Sequence, residues 1–217
     1  MRWLSALLIP AAMLMHARSE VIDRIAVAFD RKVITDSAIR EQIRITAFLN
    51  EEPLSFAPTV RRKAADQLVE QALIRREMEI SRYPVPDQSE MPSILEQFRK
   101  EHYPAASLFA KKLDEYGITD KQLARALLDQ TAILRFIDLR FRPGIAVGDG
   151  EIEIYYREQF MPQWEKQNPG KPVPDLEDAR DRIEQVLAAQ RVDQALDQWL
   201  REARSQARVR YFEEAFR

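Results

Sequence analysis

The sequence predicts a mainly α-helical fold with one small β-hairpin near its start. Three observations carry this. Only five glycines occur in 217 residues. Most of the chain repeats apolar residues every three or four positions, the spacing of a single helix face. The one strand-like stretch comes first: Ile25-Ala26-Val27-Ala28-Phe29, then Asp30-Arg31-Lys32, then Val33-Ile34, which reads as two short strands around a turn.

Asp36 follows as the expected N-cap of a first helix, because its carboxylate can accept bonds from the free N–H groups of the next turn. Ile39, Ile43 and Phe48 mark the buried side of that helix. Pro53 and Pro58 punctuate the next loop, and a second helix is expected from Thr59 to Ser81, with Val60, Ala64, Leu68, Ala72 and Leu73 as its core stripe. Pro84, Pro86 and Pro92 stiffen the connector that follows. Two shorter helices are expected over Ser93 to His102 and Ala105 to Tyr116, the second ended by Gly117. Thr119 and Gln122 form a capping box, which starts a helix reaching Arg140. Its stripe is Leu123, Leu127, Leu134, Ile137 and Phe141, widened by Leu128, Ile133 and Phe136, as for a central helix.

Pro143-Gly144 breaks the chain before a short helix from Glu151 to Phe160. A proline-containing loop is expected from Met161 to Pro174. The last helix runs from Leu176 to Ala207; its apolar positions slip register between Leu187 and Val192, which predicts a bend or a change of partners. Val209 to Phe212 reads as a terminal strand.

The first nineteen residues stand outside this pattern. Arg2 precedes an apolar run from Trp3 to Met15, and Ala17-Arg18-Ser19 places small residues at the minus-three and minus-one positions of a cleavage site. That order is the pattern of a secretory signal, predicting export and cleavage after Ser19. The alternative is an uncleaved anchor, but the run is shorter than the roughly 20 residues that span a hydrocarbon core. From Glu20 onward 198 residues remain in one expected domain: hairpin and helices over 20–160, the loop over 161–174, and the long helix and strand over 175–217. A chain of that size buries roughly 70% of its unfolded surface. It has no cysteine, so its core does not depend on disulfides. Without Arg2 and Arg18 the 33 basic residues become 31 against 35 acidic, a net charge of −4. Nothing in that balance suits nucleic acid as the main partner, and no later stretch is apolar enough to insert stably in a membrane.

Three segments carry a resemblance: IDRIAVAFDRKVITDSAIREQI near the start, YGITDKQLARALLDQTAILRFIDLRFRPGIAVGDGEIEIYY in the middle, and the long last helix into ARVRYFEEAF. In this order they resemble the chaperone module of SurA-type periplasmic proteins and their parvulin-linked relatives. The resemblance implies that the amino-terminal hairpin and helices pack with the last helix and strand, so that the chain ends meet. It also implies a periplasmic, ATP-independent holding chaperone whose partners are unfolded envelope or outer-membrane proteins. The chain departs from that family in two places. Members with isomerase activity carry a parvulin domain between the tyrosine-bearing helix and the last helix; here Met161 to Pro174 leaves fourteen residues, against the roughly 50 that a domain needs. The family often has asparagine or glycine at the hairpin turn, where this chain has Asp30-Arg31-Lys32. Two other readings stand beside the holdase: an adaptor or structural subunit docking one folded partner, and a degenerate prolyl isomerase.

Residues for catalysis are scarce. His102 is the only histidine after residue 19, too few for a histidine-based triad or zinc site, and its place at a helix end suits a solvated or capping role. No G-x-x-x-x-G-K or G-x-G-x-x-G run offers a phosphate loop. Glu151 with Glu153, and Asp178 with Asp181, fall on polar helix faces beside arginines and read as solvated charge. The expectation is therefore a non-enzyme without metal or cofactor. The aromatic residues Phe98, Tyr103, Phe109, Tyr155, Tyr156, Phe160 and Trp164 have two readings: core packing, or a groove for unfolded chains built from rings that offer large contact area at low entropic cost. Phe98, Tyr103, Phe109, Tyr156, Phe160 and Trp164 are the candidate peptide-binding set. Trp164 leads it, because Pro162 and Pro169 place it in a loop.

Overall fold

A computed structural model describes residues 23–217; the predicted signal segment and its cleavage point lie outside the described residues. The hairpin is β1 (Ile25–Phe29) and β2 (Lys32–Thr35), and a third strand, β3 (Val209–Tyr211), pairs antiparallel with β1, so β1 is central in the order β2-β1-β3. The two ends of the described chain therefore meet in one sheet. Asp30 explains how the hairpin dispenses with glycine. Its φ of 48° lies in the left-handed region that a short polar side chain tolerates. Its carboxylate also accepts from the Arg208 backbone N–H (3.2 Å) and pairs with Arg76 (2.9 Å), so the turn residue holds the chain entering β3.

The rest of the described chain is mainly helical, and only some of its helices pack on this sheet. In α1 (Asp36–Leu49) the N-cap is Thr35 rather than Asp36: the Thr35 hydroxyl accepts from the Ala38 N–H. Asp36 moves into the first turn, where it pairs with Arg40 (2.8 Å) and with the buried Arg61 of α2 (Pro58–Ile80). A carboxylate in the first turn faces free N–H groups, so either residue satisfies the helix start. The next two helices, α3 (Met91–His102) and α4 (Ala106–Tyr116), are followed by Gly117 at φ 63°, the left-handed residue expected there. The Thr119–Gln122 capping box opens α5 (Asp120–Phe141) as the sequence implies.

The buried face of α5 departs from expectation. Leu123 and Leu127 are buried, and so is Phe136, but Leu134 is 55% exposed. Nine residues at about 100° each carry Phe136 half-way around the helix from Leu127. The two ends of α5 serve different cores. Its first half joins Phe48, Tyr103, Phe109 and Leu113; its second half places Phe136 against Ile74, Met78 and Trp199. Leu134 continues the face of Leu127 beyond the first core and emerges at the surface.

A larger correction concerns the expected loop over 161–174. The helix α6 (Asp149–Tyr155) continues through a π-helical stretch, Tyr156–Phe160, directly into α7 (Met161–Gln167), so only residues 168–175 lack helix before α8. A proline lacks an N–H and crowds the carbonyl four residues back, so Pro162 within a helix needs extra room. Here the Met161 N–H reaches Tyr156 O, five residues back, and this wider turn makes room just ahead of the proline.

The last helix, α8 (Leu176–Gln206), is unbroken over 31 residues. Its register slip is a change of partners. Ala179, Ile183 and Leu187 pack with Ile152, Tyr155 and Tyr156, and then Trp199, Leu200 and Ala203 pack against the sheet and α2. The principal core lies there: Val27, Phe29, Ile39, Ala65, Val69 and Leu73 between sheet, α1 and α2. No helix among the described residues is long and apolar enough to cross a membrane.

Candidate functional site

The six aromatic candidates fall into two groups. Tyr103 and Phe109 are 7% and 5% exposed and surround the fully buried Phe48, with ring centroids 5.6 and 6.4 Å from it. Burial, with Glu51 adding to it, pushes the Tyr103 hydroxyl pKa up. These rings form a core and present no groove. Phe98 is half-buried at the margin of the same cluster, with the exposed His102 ring 4.7 Å away at the end of α3.

Tyr156, Phe160 and Trp164 do come together. Spaced by four residues along α6–α7, they stack in a row with centroids 5.7 and 5.9 Å apart. All three are half-buried. The Tyr156 hydroxyl donates to Pro174 O (2.8 Å), and the Trp164 indole N–H donates to Pro172 O (3.0 Å). The row thus holds down the short connection into α8, and Trp164 is a helical residue with a fixed partner. Tyr155 turns into the core around Ile183. A more open surface lies elsewhere.

That surface is an open groove of about 760 Å³ among α1, α2, α5 and α8. From α1 come Glu41, Gln42, Ile45, Thr46 and Leu49; α2 supplies Gln67, Glu70, Gln71 and Ile74; α5 supplies Gln122, Ala126, Gln130, Leu134 and Ile137. Leu196 and Leu200 of α8 complete it. The rows from α1, α2 and α5, at three- and four-residue spacing, mix amide and aliphatic side chains, and α8 adds only leucines. The groove follows α1 from Ser37 to Asn50, about 20 Å of helix, which matches roughly six residues of extended chain.

Five glutamines line it: Gln42, Gln67, Gln71, Gln122 and Gln130. Gln42 donates to Thr46 (3.1 Å), Gln122 donates to Glu41 (3.0 Å), and Gln71 accepts from Arg75 (3.1 Å). Each amide carries two donor hydrogens and a two-lone-pair acceptor, so these bonds leave donor hydrogens over, although the Gln122 oxygen is taken up by the Thr119 N–H and hydroxyl of the capping box. Arg75 also pairs with Asp129 at 3.3 Å, linking α2 to α5. Both residues border a second hollow of about 470 Å³, lined by Met78, Tyr83, Val85, Pro86 and Leu128.

The charges of the α2 wall differ sharply. Asp66 is held below its ordinary pKa: burial alone raises it, but the Tyr211 hydroxyl and Arg204 guanidinium outweigh that. Glu70, one turn later, is shifted the other way. Burial raises it, Arg204 opposes the shift, and Asp66 and Asp197 add to it. Among the described residues Glu70 makes no hydrogen bond or ion pair.

Nothing in this groove pairs a nucleophile with a base, and among the described residues no three His, Cys, Asp or Glu are grouped to hold a metal. What it can do is bind. Aliphatic side chains receive apolar ones, and amides match the N–H and C=O groups that every extended polypeptide carries. Reading the sequence for loops and rings missed this site, because it is made of helical glutamines. The signal was present in α2, where Gln67, Glu70, Gln71 and Ile74 repeat at helical spacing beside a complete apolar stripe. Compared with known families and with curated proteins, the chain matches no family model and no curated sequence.

Proposed function

We propose that this chain is an ATP-independent holding chaperone of the periplasm, binding unfolded envelope or outer-membrane proteins without isomerase activity. One observation carries the reading: an open groove between helices whose lining alternates aliphatic and amide side chains, with capacity for the backbone of an extended segment. Affinity of that kind depends little on client sequence, as a holdase requires. The resemblance of the opening, middle and closing segments to SurA-type chaperone modules supports the same function, and the leader-like first nineteen residues support the compartment. The connection between α7 and α8, residues 168–175, is far below the roughly 50 residues of an isomerase domain.

Release without a nucleotide calls for fast exchange and a Kd near the micromolar range, about −8 kcal/mol. Light scattering of a denatured outer-membrane protein diluted into buffer tests the reading. A few-fold molar excess of the chain suppresses aggregation if it holds; an unchanged scattering trace overturns it. Binding to one member only of a panel of unrelated unfolded proteins would favour a dedicated adaptor instead. Cis–trans exchange of a proline peptide is expected at its uncatalysed rate, tens to hundreds of seconds.

A further inference from the structure

We infer that the groove selects extended segments in which a lysine or arginine sits among apolar residues, with Glu70 as the carboxylate that receives it. This rests on reading the groove as the client site and adds a chemical preference to it.

The argument starts from an imbalance of partners on α2. Arg204 gives its Nη2 to both Asp66 (2.7 Å) and the Tyr211 hydroxyl, so the nearest guanidinium is engaged away from Glu70. Glu70 is half-buried and lines the groove with Gln67, Gln71 and Ile74, facing no cation of its own. Desolvating a carboxylate without a partner is costly, and its raised pKa reflects that cost. The exposed Asp197 of α8 adds negative potential to the same site. An incoming ammonium or guanidinium removes the deficit.

The surrounding side chains suit such a guest. Leu196 and Leu200 offer aliphatic surface for the methylene stem of a long cation, while the head reaches the carboxylate. The groove's other charges are placed differently. Glu41 already accepts from Gln122, Arg75 is paired with Asp129, and Arg125 stands exposed on the α5 wall. Arg125 does not figure among the charges that act on Glu70, which are Arg204, Asp66 and Asp197.

The test uses the full chain and three fluorescent peptides of about ten residues, identical and apolar except for a central Lys, Gln or Glu, with binding read by anisotropy at low salt. The Lys peptide is expected to bind about five- to tenfold more tightly than the Gln peptide, and the Glu peptide more weakly than both. Glu70→Gln, which removes an unpaired charge and leaves the shape, should equalise Lys and Gln; Asp197→Asn should reduce the preference only in part. Equal binding of all three peptides to the parent, or a Lys preference that survives Glu70→Gln, overturns the inference and leaves the groove as client site. Ala126→Trp, which fills the groove, separates the two claims. It should abolish binding of every peptide, and peptides that bind it as they bind the parent overturn the groove reading itself.

Discussion

Two successive stretches of α2, residues 61–66 and 67–74, differ in how their polar groups are matched. In the first stretch, Arg61, Arg62 and Asp66 all bond to the chain's last residues, although the buried Nε of Arg61 has no partner. Arg61 pairs with Asp36 and donates to the Ala215 carbonyl, Arg62 lies 3.7 Å from the Tyr211 ring centroid and pairs with Glu213 at 2.9 Å, and Asp66 accepts from both Arg204 and Tyr211. In the second, Gln67 and Glu70, the latter one turn past Asp66 on the same side of the helix, make no side-chain hydrogen bond or ion pair among the described residues. The first closes the fold; the second borders the open groove. Polar groups confer stability only where the fold supplies their partners, and those lining an open groove are left with bonds to make.

The comparison breaks hardest at Arg61. Arg61→Ala leaves the half-buried Asp36 carboxylate without its partner across the helices and uncouples Ala215, so a loss of about 3–5 kcal/mol is expected, read as a lower urea midpoint. A change below about 1 kcal/mol would mean that the closure is not held by this clamp. Next comes Tyr211→Phe, which removes the hydroxyl shared by Asp66 and Arg204 and should cost about 1–2 kcal/mol in the same titration.

The pH dependence of that cluster is a sharper probe. Burial and the bond to Asp66 push the Tyr211 hydroxyl up to about 12. Because the unfolded chain gives up this proton near the ordinary value of 10, stability from Tyr211 is complete below that pH and drains away as pH climbs toward 12. Asp66 works in the opposite sense. Its pKa is lowered in the fold, so its contribution is present above the ordinary carboxylate value of 3.8 and disappears as pH falls through the lower one. Thermal melts across both ranges should show the alkaline slope flatten in Tyr211→Phe.

Smallest is the effect in the stretch that lines the groove. Glu70→Leu should leave the melting temperature unchanged or raise it by a few degrees, since an unpaired, half-buried charge is exchanged for an apolar side chain. A clear destabilisation would show that Glu70 belongs to the closure after all.

Much of the architecture could be read in advance where a local rule decides it. Thr119 with Gln122, and Gly117 past α4, are short-range hydrogen-bonding and backbone choices that need no tertiary partner. The hairpin and the long last helix were legible for the same reason. The errors fall where distant parts of the chain arbitrate. Pro162 looked like a helix end until a π turn made room for it, and Leu134 looked buried until α5 proved to serve two cores on opposite faces.

The candidate site shows the division most clearly. Patterning alone determined that this chain makes helices with apolar faces, one hairpin, and strand-forming residues at its far end, since periodicity and capping act over a few residues. Only the tertiary structure decided which half-polar faces of α1, α2 and α5 line one groove, and that Arg204 bonds directly to Asp66 and not to Glu70. Both are matters of which surfaces meet across more than a hundred residues, where no local propensity reaches.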